Sequence, residues 1–335
     1  MEYLYELGIS IVLVIQGLGE WLSAPMKLLS FMGSAEFYLL IMPFLYWSID
    51  TALGIRIGLI LLFSDAINYY LKIAIHSGRP FWVSRQVESL SFDPYFGMPS
   101  AHAQNSAAVF GLIAATLKHR WVWVLSLLLI FLIGLSRLYL AVHFPQDVIL
   151  GWLIGFLLVW IFLRVEKPVA AWFSSQSLPL AVFVLFVISI SMLLVGLLIR
   201  SITSDWQIPA AWLENARLAF PEEEPINPFK FSGMLLTSGV FFGLSAGALW
   251  LSKRGGFNAR GSWGRRILRY LLGVVGVAIL WFGLGSLLPE DAGTLGYVLS
   301  YLLNAVIGFW ISALAPLIFL RINLAEPNTS KNPAV

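Results

Sequence analysis

Apolar stretches of spanning length follow one another along most of this chain, separated by short polar or basic breaks. Their lengths match helices crossing a bilayer rather than strands, since a span needs about 20 apolar residues as a helix. The pattern predicts nine spans, near 35–49, 52–74, 102–117, 120–141, 146–164, 178–199, 230–251, 268–288 and 294–320. The expected fold is therefore all-α, a polytopic transmembrane helical bundle of about nine spans. Residues 7–18 are apolar too, but Gln16 and Glu20 cut the run short, and no basic start or cleavage site marks it as a leader. That segment is expected to lie along the membrane surface with Trp21 as an anchor.

Composition supports the membrane reading. Of 335 residues, 59% are hydrophobic and 12% charged, about half the charge of an ordinary soluble domain. There is no cysteine, which rules out thiol chemistry and disulfides. No basic stripe interleaved with aromatics suggests a nucleic-acid partner. If the second span ends outside, at Lys72, thirteen of the 21 Lys and Arg residues fall inside, among them Lys253, Arg254, Arg260, Arg265, Arg266 and Arg269. Glu222, Glu223, Glu224, Glu290 and Asp291 then fall outside. Short cytoplasmic loops collect positive charge, so polar groups near Lys72 are expected on the extracytoplasmic side.

Against this apolar background, a few polar residues stand at helix ends. Lys72 closes the second span, and Arg79-Pro80 follows. Pro99-Ser100-Ala101-His102 opens the third, and Ser136-Arg137 sits near the end of the fourth. His143 lies in the next turn, with Asp147 four residues on. Lysine at a span end often only snorkels to headgroups, but a second and third cation beside it point to an anion. Arg79 and Arg137 offer planar forks suited to phosphate oxygens, and Ser100 offers a hydroxyl at a helix start whose amides favour anions. His102, in the first turn, is placed to protonate a leaving oxygen. Asp147 is spaced to reach back and orient His143, the nucleophile of a phosphohistidine mechanism. Two histidines and an aspartate also make a partial zinc set, but three flanking cations oppose a metal, so neither metal nor cofactor is expected. His76 reads either as an entrance residue or as a solvated loop histidine. Mid-span Asp65 reads as a structural polar partner. The 201–229 segment, with Trp206, Trp212 and Phe220, is expected to rest at the interface or to form a lid.

The order K-x6-R-P, P-S-x-H, S-R-x5-H-x3-D resembles the phosphatidic-acid-phosphatase type 2 superfamily, and every element lies within residues 72–147. The resemblance implies phosphate binding by Lys72, Arg79, Ser100, the Ala101 amide and Arg137, with His102 as acid, His143 as nucleophile and Asp147 as its partner. Ala101 stands where the family usually carries glycine. A six-helix phosphatase-type core is implied, so that the chain divides into an interfacial segment (1–34), a catalytic core (35–167), additional helices (168–324) and a disordered tail (325–335). The longer nine-span plan is similar to the glucose-6-phosphatase branch, whereas Gly-Met-Pro-Ser-Ala-His at 97–102 is similar to sphingoid-phosphate and dolichyl-diphosphate phosphatases. The expected activity is hydrolysis of a lipid phosphate or diphosphate. A sugar phosphate is the alternative substrate, and a non-catalytic lipid transporter retaining the pocket is the alternative class.

Overall fold

A computed structural model describes residues 2–287 and 293–328. Helices occupy all nine expected places. Seven are long and apolar enough to span: α4 (Thr51–Ile75), α7 (Arg120–Tyr139), α8 (Pro145–Ser175), α9 (Leu178–Ile202), α11 (Ser232–Ser252), α12 (Trp263–Ala278) with its π-helical continuation Ile279–Leu284, and α13 (Gly293–Phe309), which runs through a π-helical Trp310–Leu314 into α14 (Ala315–Arg321). The other two, α3 (Ala35–Ser48) and α6 (Ala101–Leu117), have 14 and 17 residues. At 1.5 Å per residue they fall short of a hydrocarbon core about 30 Å thick. Most of α6 is buried in protein, which lets it carry polar residues that lipid would not accept.

The N-terminal run forms two helices, α1 (Glu2–Gln16) and α2 (Ser23–Phe31), bent by 89° at Gly17–Gly19. Gly19 has φ of +112°, which favours a residue without a Cβ. Two shorter helices are α5 (Pro80–Val83) and α10 (Ala210–Ala219). Among the described residues, strands are confined to two-residue β1 (Phe257–Asn258) and β2 (Glu326–Pro327), an antiparallel pair. β2 thus orders the start of the segment expected to be a disordered tail, while residues 329–335 lie outside the described residues. Glu290, Asp291 and the expected span end at 288 lie outside them too.

The chain divides into two compact units that interleave along the sequence. The first comprises 1–37, 67–160 and 195–230; the second comprises 38–66, 161–194 and 231–335. They cut across the linear division at 34, 167 and 324.

In the first unit, an aromatic core is assembled from connecting segments: Phe81, Trp82, Phe96, Tyr139, Leu140 and Val142 are buried, and Trp206, Trp212, Phe220 and Phe229 pack on them. Each such ring removes about 150–250 Å² from water, which makes this cluster the clasp that holds the loops. The 201–229 aromatics therefore cover the Arg79 loop instead of only floating at an interface. Trp212 leaves no room for a side chain at Gly78. Beneath this cluster, Gly151 and Gly155 of α8 let the α6 backbone approach, since a Cβ would meet the carbonyls of Ser100 and Gln104 at 2.7 and 2.5 Å.

In the second unit, α11 and α13 meet through Gly239, Gly243 and Gly308. Close approach at small residues is the usual way helices associate where lipid supplies no hydrophobic drive. Tyr46 and Trp47 donate to the carbonyls of Ser312 and Ile311 at 2.8 Å each. Both acceptors lie in the π-helical stretch, where a widened turn releases carbonyls from the helical ladder.

Candidate active site

Every polar residue singled out in the sequence motifs belongs to the first unit. α4 ends at Ile75, three residues beyond Lys72, whose ammonium donates to the carbonyl of Phe96 and lies 3.4 Å from that of Gly97. Arg79 directly precedes α5, and Pro80 opens that helix. Its guanidinium is fully buried and fully used. Nε donates to the Tyr95 carbonyl at 2.5 Å, Nη1 to that of Val142 at 2.7 Å, and Nη2 to that of Phe96 at 3.2 Å. A 2.6 Å ion pair joins Nη2 to Asp93. The loop carbonyls thus fix the direction of both cations.

Ser100 is the N-cap of α6: its side chain accepts from the Ala103 amide at 3.4 Å, which leaves its hydroxyl proton to give. Its own amide donates to the Asp147 carbonyl at 2.9 Å, joining the start of α6 to the start of α8. Nearby, Asn68 donates to the Pro99 carbonyl and to Gln104. Gln104 therefore anchors this turn from a buried position.

His143 sits in the turn between α7 and α8. Asp147 Oδ2 accepts from the Phe144 amide at 2.9 Å and lies 3.3 Å from His143 Nδ1. On the other side of the ring, Nε2 is 3.3 Å from Arg79 Nη1. Arginine only donates, so this contact requires a lone pair on Nε2 and puts the ring proton on Nδ1, facing the carboxylate. Burial first, then the positive charges of Arg79, Lys72 and Arg137 and that of His102, hold the His143 imidazole well below its ordinary value of 6.5. It is accordingly neutral near pH 7.

Arg137, buried on α7, donates to the hydroxyl of Ser30 on α2, and its Nη2 lies 4.0 Å from Asp93. A cleft of about 460 Å³ opens beside it, lined by Lys27, Ser30, Ser34, Glu36, Asp93 and His102 together with apolar Phe31, Leu90, Phe92 and Leu140. Lys72, Arg79, Ser100, His143 and Asp147 do not line this cleft.

Several contributors escaped the sequence reading. Asp93 faces both arginines, Ser30 holds Arg137, and the Tyr5 hydroxyl accepts from the Gly78 amide at 3.1 Å. Tyr5 also packs on Phe144, next to His143, with ring centroids 5.0 Å apart. Asp93 and Ser30 stand in segments with no fixed motif, and Tyr5 precedes the apolar 7–18 run without any motif of its own. His76 is neither of the expected alternatives in a simple sense: its ring stacks on Trp206 at 4.4 Å and meets Phe96 edge-on.

Asp93 thus links Arg79, which touches His143, to Arg137, which shares the cleft with His102, while Ser100 is tied to Asp147. The PAP2 superfamily model matches residues 53–169, and a model for the PAP2 superfamily phosphatase transmembrane extension matches residues 235–327. The chain belongs to the PAP2 superfamily and is a multi-span membrane protein of it. It is similar to glucose-6-phosphatase 2 of Homo sapiens, 24% identical over 94% of this chain and 96% of that protein. It is also similar to lipid A 4'-phosphatase of Bacteroides thetaiotaomicron, 26% identical over 44% of this chain and 68% of that one. Among solved structures, the PAP2 type phosphatidylglycerolphosphate phosphatase of Bacillus subtilis is 24% identical, covers 50% of this chain and 88% of its own, and has a TM-score of 0.44.

Proposed function

We propose that this protein hydrolyses the phosphomonoester or diphosphate of a lipid through a covalent phosphohistidine, at the extracytoplasmic side of the membrane and without a metal. The observation that carries the chemistry is the run Asp147–His143–Arg79, with 3.3 Å on each side of the imidazole. In this reading Lys72, Arg79, Ser100, the Ala101 amide and Arg137 hold the phosphate oxygens and stabilise the charge of the pentavalent transition state. His143 Nε2 attacks phosphorus, the bond to the leaving oxygen breaks, and His102, which holds its proton while the phosphate anion lies beside it, gives that proton to the leaving oxygen. Asp147 stabilises the imidazolium as it forms. Neutral His102 then takes a proton from water, the resulting hydroxide attacks phosphorus, and the P–N bond breaks to release phosphate and restore His143.

The choice of a lipid is supported by Phe31, Leu90, Phe92 and Leu140 on the wall of the cleft beside His102 and Arg137. A sugar phosphate is the second reading, favoured by the near full-length similarity to glucose-6-phosphatase 2. Detergent-purified protein, offered phosphatidate, a prenyl diphosphate, a sphingoid phosphate and glucose 6-phosphate, distinguishes them by phosphate release. Faster turnover of a lipid substrate is expected. Preference for the sugar ester overturns the lipid reading, and substrate binding without release of phosphate from any of the four overturns the enzyme.

A further inference from the structure

Asp93 lies on the loop between α5 and α6. One of its carboxylate oxygens, Oδ1, accepts from the Tyr95 amide at 3.1 Å, an Asx-type turn that fixes the side chain. The other, Oδ2, is 2.6 Å from Arg79 Nη2 and 4.0 Å from Arg137 Nη2. The two guanidinium groups are 0% and 4% exposed, whereas the carboxylate is 21% exposed. Asp93 shares the cleft wall with His102 and Arg137, but Arg79 and His143 do not reach that wall. Arg79 in turn covers the Nε2 face of His143.

We infer that Asp93 is an internal anion standing in for substrate phosphate: it pairs with the two arginines and must be displaced before an incoming phosphate reaches His143. The inference rests on the assignment of Arg79 and Arg137 as phosphate binders. A carboxylate oxygen and a phosphate oxygen compete for the same fork of donors. An anion entering from the cleft therefore meets the Asp93–Arg79 pair before it meets the nucleophile. The carboxylate also keeps two buried cations partnered between turnovers, when leaving them uncompensated would be unfavourable. Its position on a loop, at the boundary with solvent, gives it somewhere to go once displaced. Asp93 is thus a residue that sets affinity for the phosphate end of the substrate and does not touch the reacting bond.

The sign of its effect separates this from a supporting role. Inorganic phosphate, as competitive inhibitor of the full-length enzyme, should bind Asp93→Asn about tenfold or more tightly than wild type, close charge pairs being coupled at that level or above. KM should fall in parallel while kcat does not rise with it, since the same change retains product. Asp93→Ala, which also removes the acceptor for Tyr95, should shift phosphate inhibition in the same direction. If both variants bind phosphate equally or more weakly than wild type, Asp93 only props the arginines and the inference is wrong. Arg137→Gln is the control for the underlying assignment: undiminished phosphate inhibition there sinks the phosphate site itself, whatever Asp93 does.

Discussion

The two compact units differ in the polar groups they bury. Both bury small neutral groups, but the first adds a set of ionisable ones, Lys72, Arg79, Arg137, His143 and Asp147, to neutral residues such as Asn68, Asn105, Ser106 and Ser126. In the second, the buried polar residues among those described are Ser48, Ser64, Ser189, Thr237, Ser238, Asn304 and Ser312, with Arg269 the one buried charge. Arg269 is satisfied locally, donating to the carbonyls of Asn258, Ala259 and Arg260. The hydroxyls do similar neutral work: Ser189 donates to the Ser238 carbonyl at 2.7 Å and meets the Tyr301 hydroxyl at 2.8 Å. Small neutral groups fasten helices cheaply. Charges inside a membrane protein are costly and are retained where they act on something. The contrast suits the proposed chemistry, which needs charge in the first unit, and leaves mechanical cohesion to the second.

Substitutions can break this contrast. The largest effect is expected from His143→Ala, with phosphate release falling by about a thousandfold or more and the unfolding midpoint little changed. Residual turnover near wild type would remove the nucleophile from the proposal. Lys72→Met should lose about a hundredfold in kcat/KM, as removal of one preorganised charge donor does. It should also move the acid limb of the pH profile. Protonated His143 cannot attack, so activity drops as pH falls through its lowered pKa. Deleting a neighbouring positive charge raises that pKa, and the limb must shift to higher pH. An unmoved limb would mean that another group sets it.

In the second unit the effects should appear in stability alone. Gly243→Leu forces a side chain into the Ala305 and Phe309 backbone and should cost about 1–3 kcal/mol, read from denaturant unfolding, with KM of the folded fraction unchanged. The smallest shift belongs to Ser189→Ala, about 0.6 kcal/mol, the usual size of a hydrogen bond between membrane helices. A change in KM from either variant would show that cohesion and reactivity are not divided in this way.

The sequence discloses groups whose spacing is fixed by one helix end. Ser100 before His102, and His143 four residues before Asp147, are read directly because a single turn sets their separation. It also discloses the positions of the long apolar helices, since lipid demands length and apolarity in one contiguous stretch. Partners brought together by tertiary structure leave no such trace. Asp93 meets Arg79 across a loop, Ser30 meets Arg137 from a helix that looks like an interfacial anchor, and the Trp206–Trp212 cluster closes over Gly78 from more than 120 residues away. Helix ends in the N-terminal run were similarly hidden, because the break at Gly17–Gly19 divides a pattern too short and irregular to show two elements.

The hydrogen bond from the Ser100 amide to the Asp147 carbonyl, and the glycines that press α8 against α6, have a consequence for how such an enzyme diversifies. The helix bearing His102 and the one bearing Asp147, partner of the proposed nucleophile, are welded at their starting points, so their mutual alignment is not an adjustable quantity. Residues 84–99 and α2 are free of that weld. Under the proposed function, a different phosphate ester would be accommodated by redrawing those two segments, with the alignment of α6 and α8 inherited unaltered.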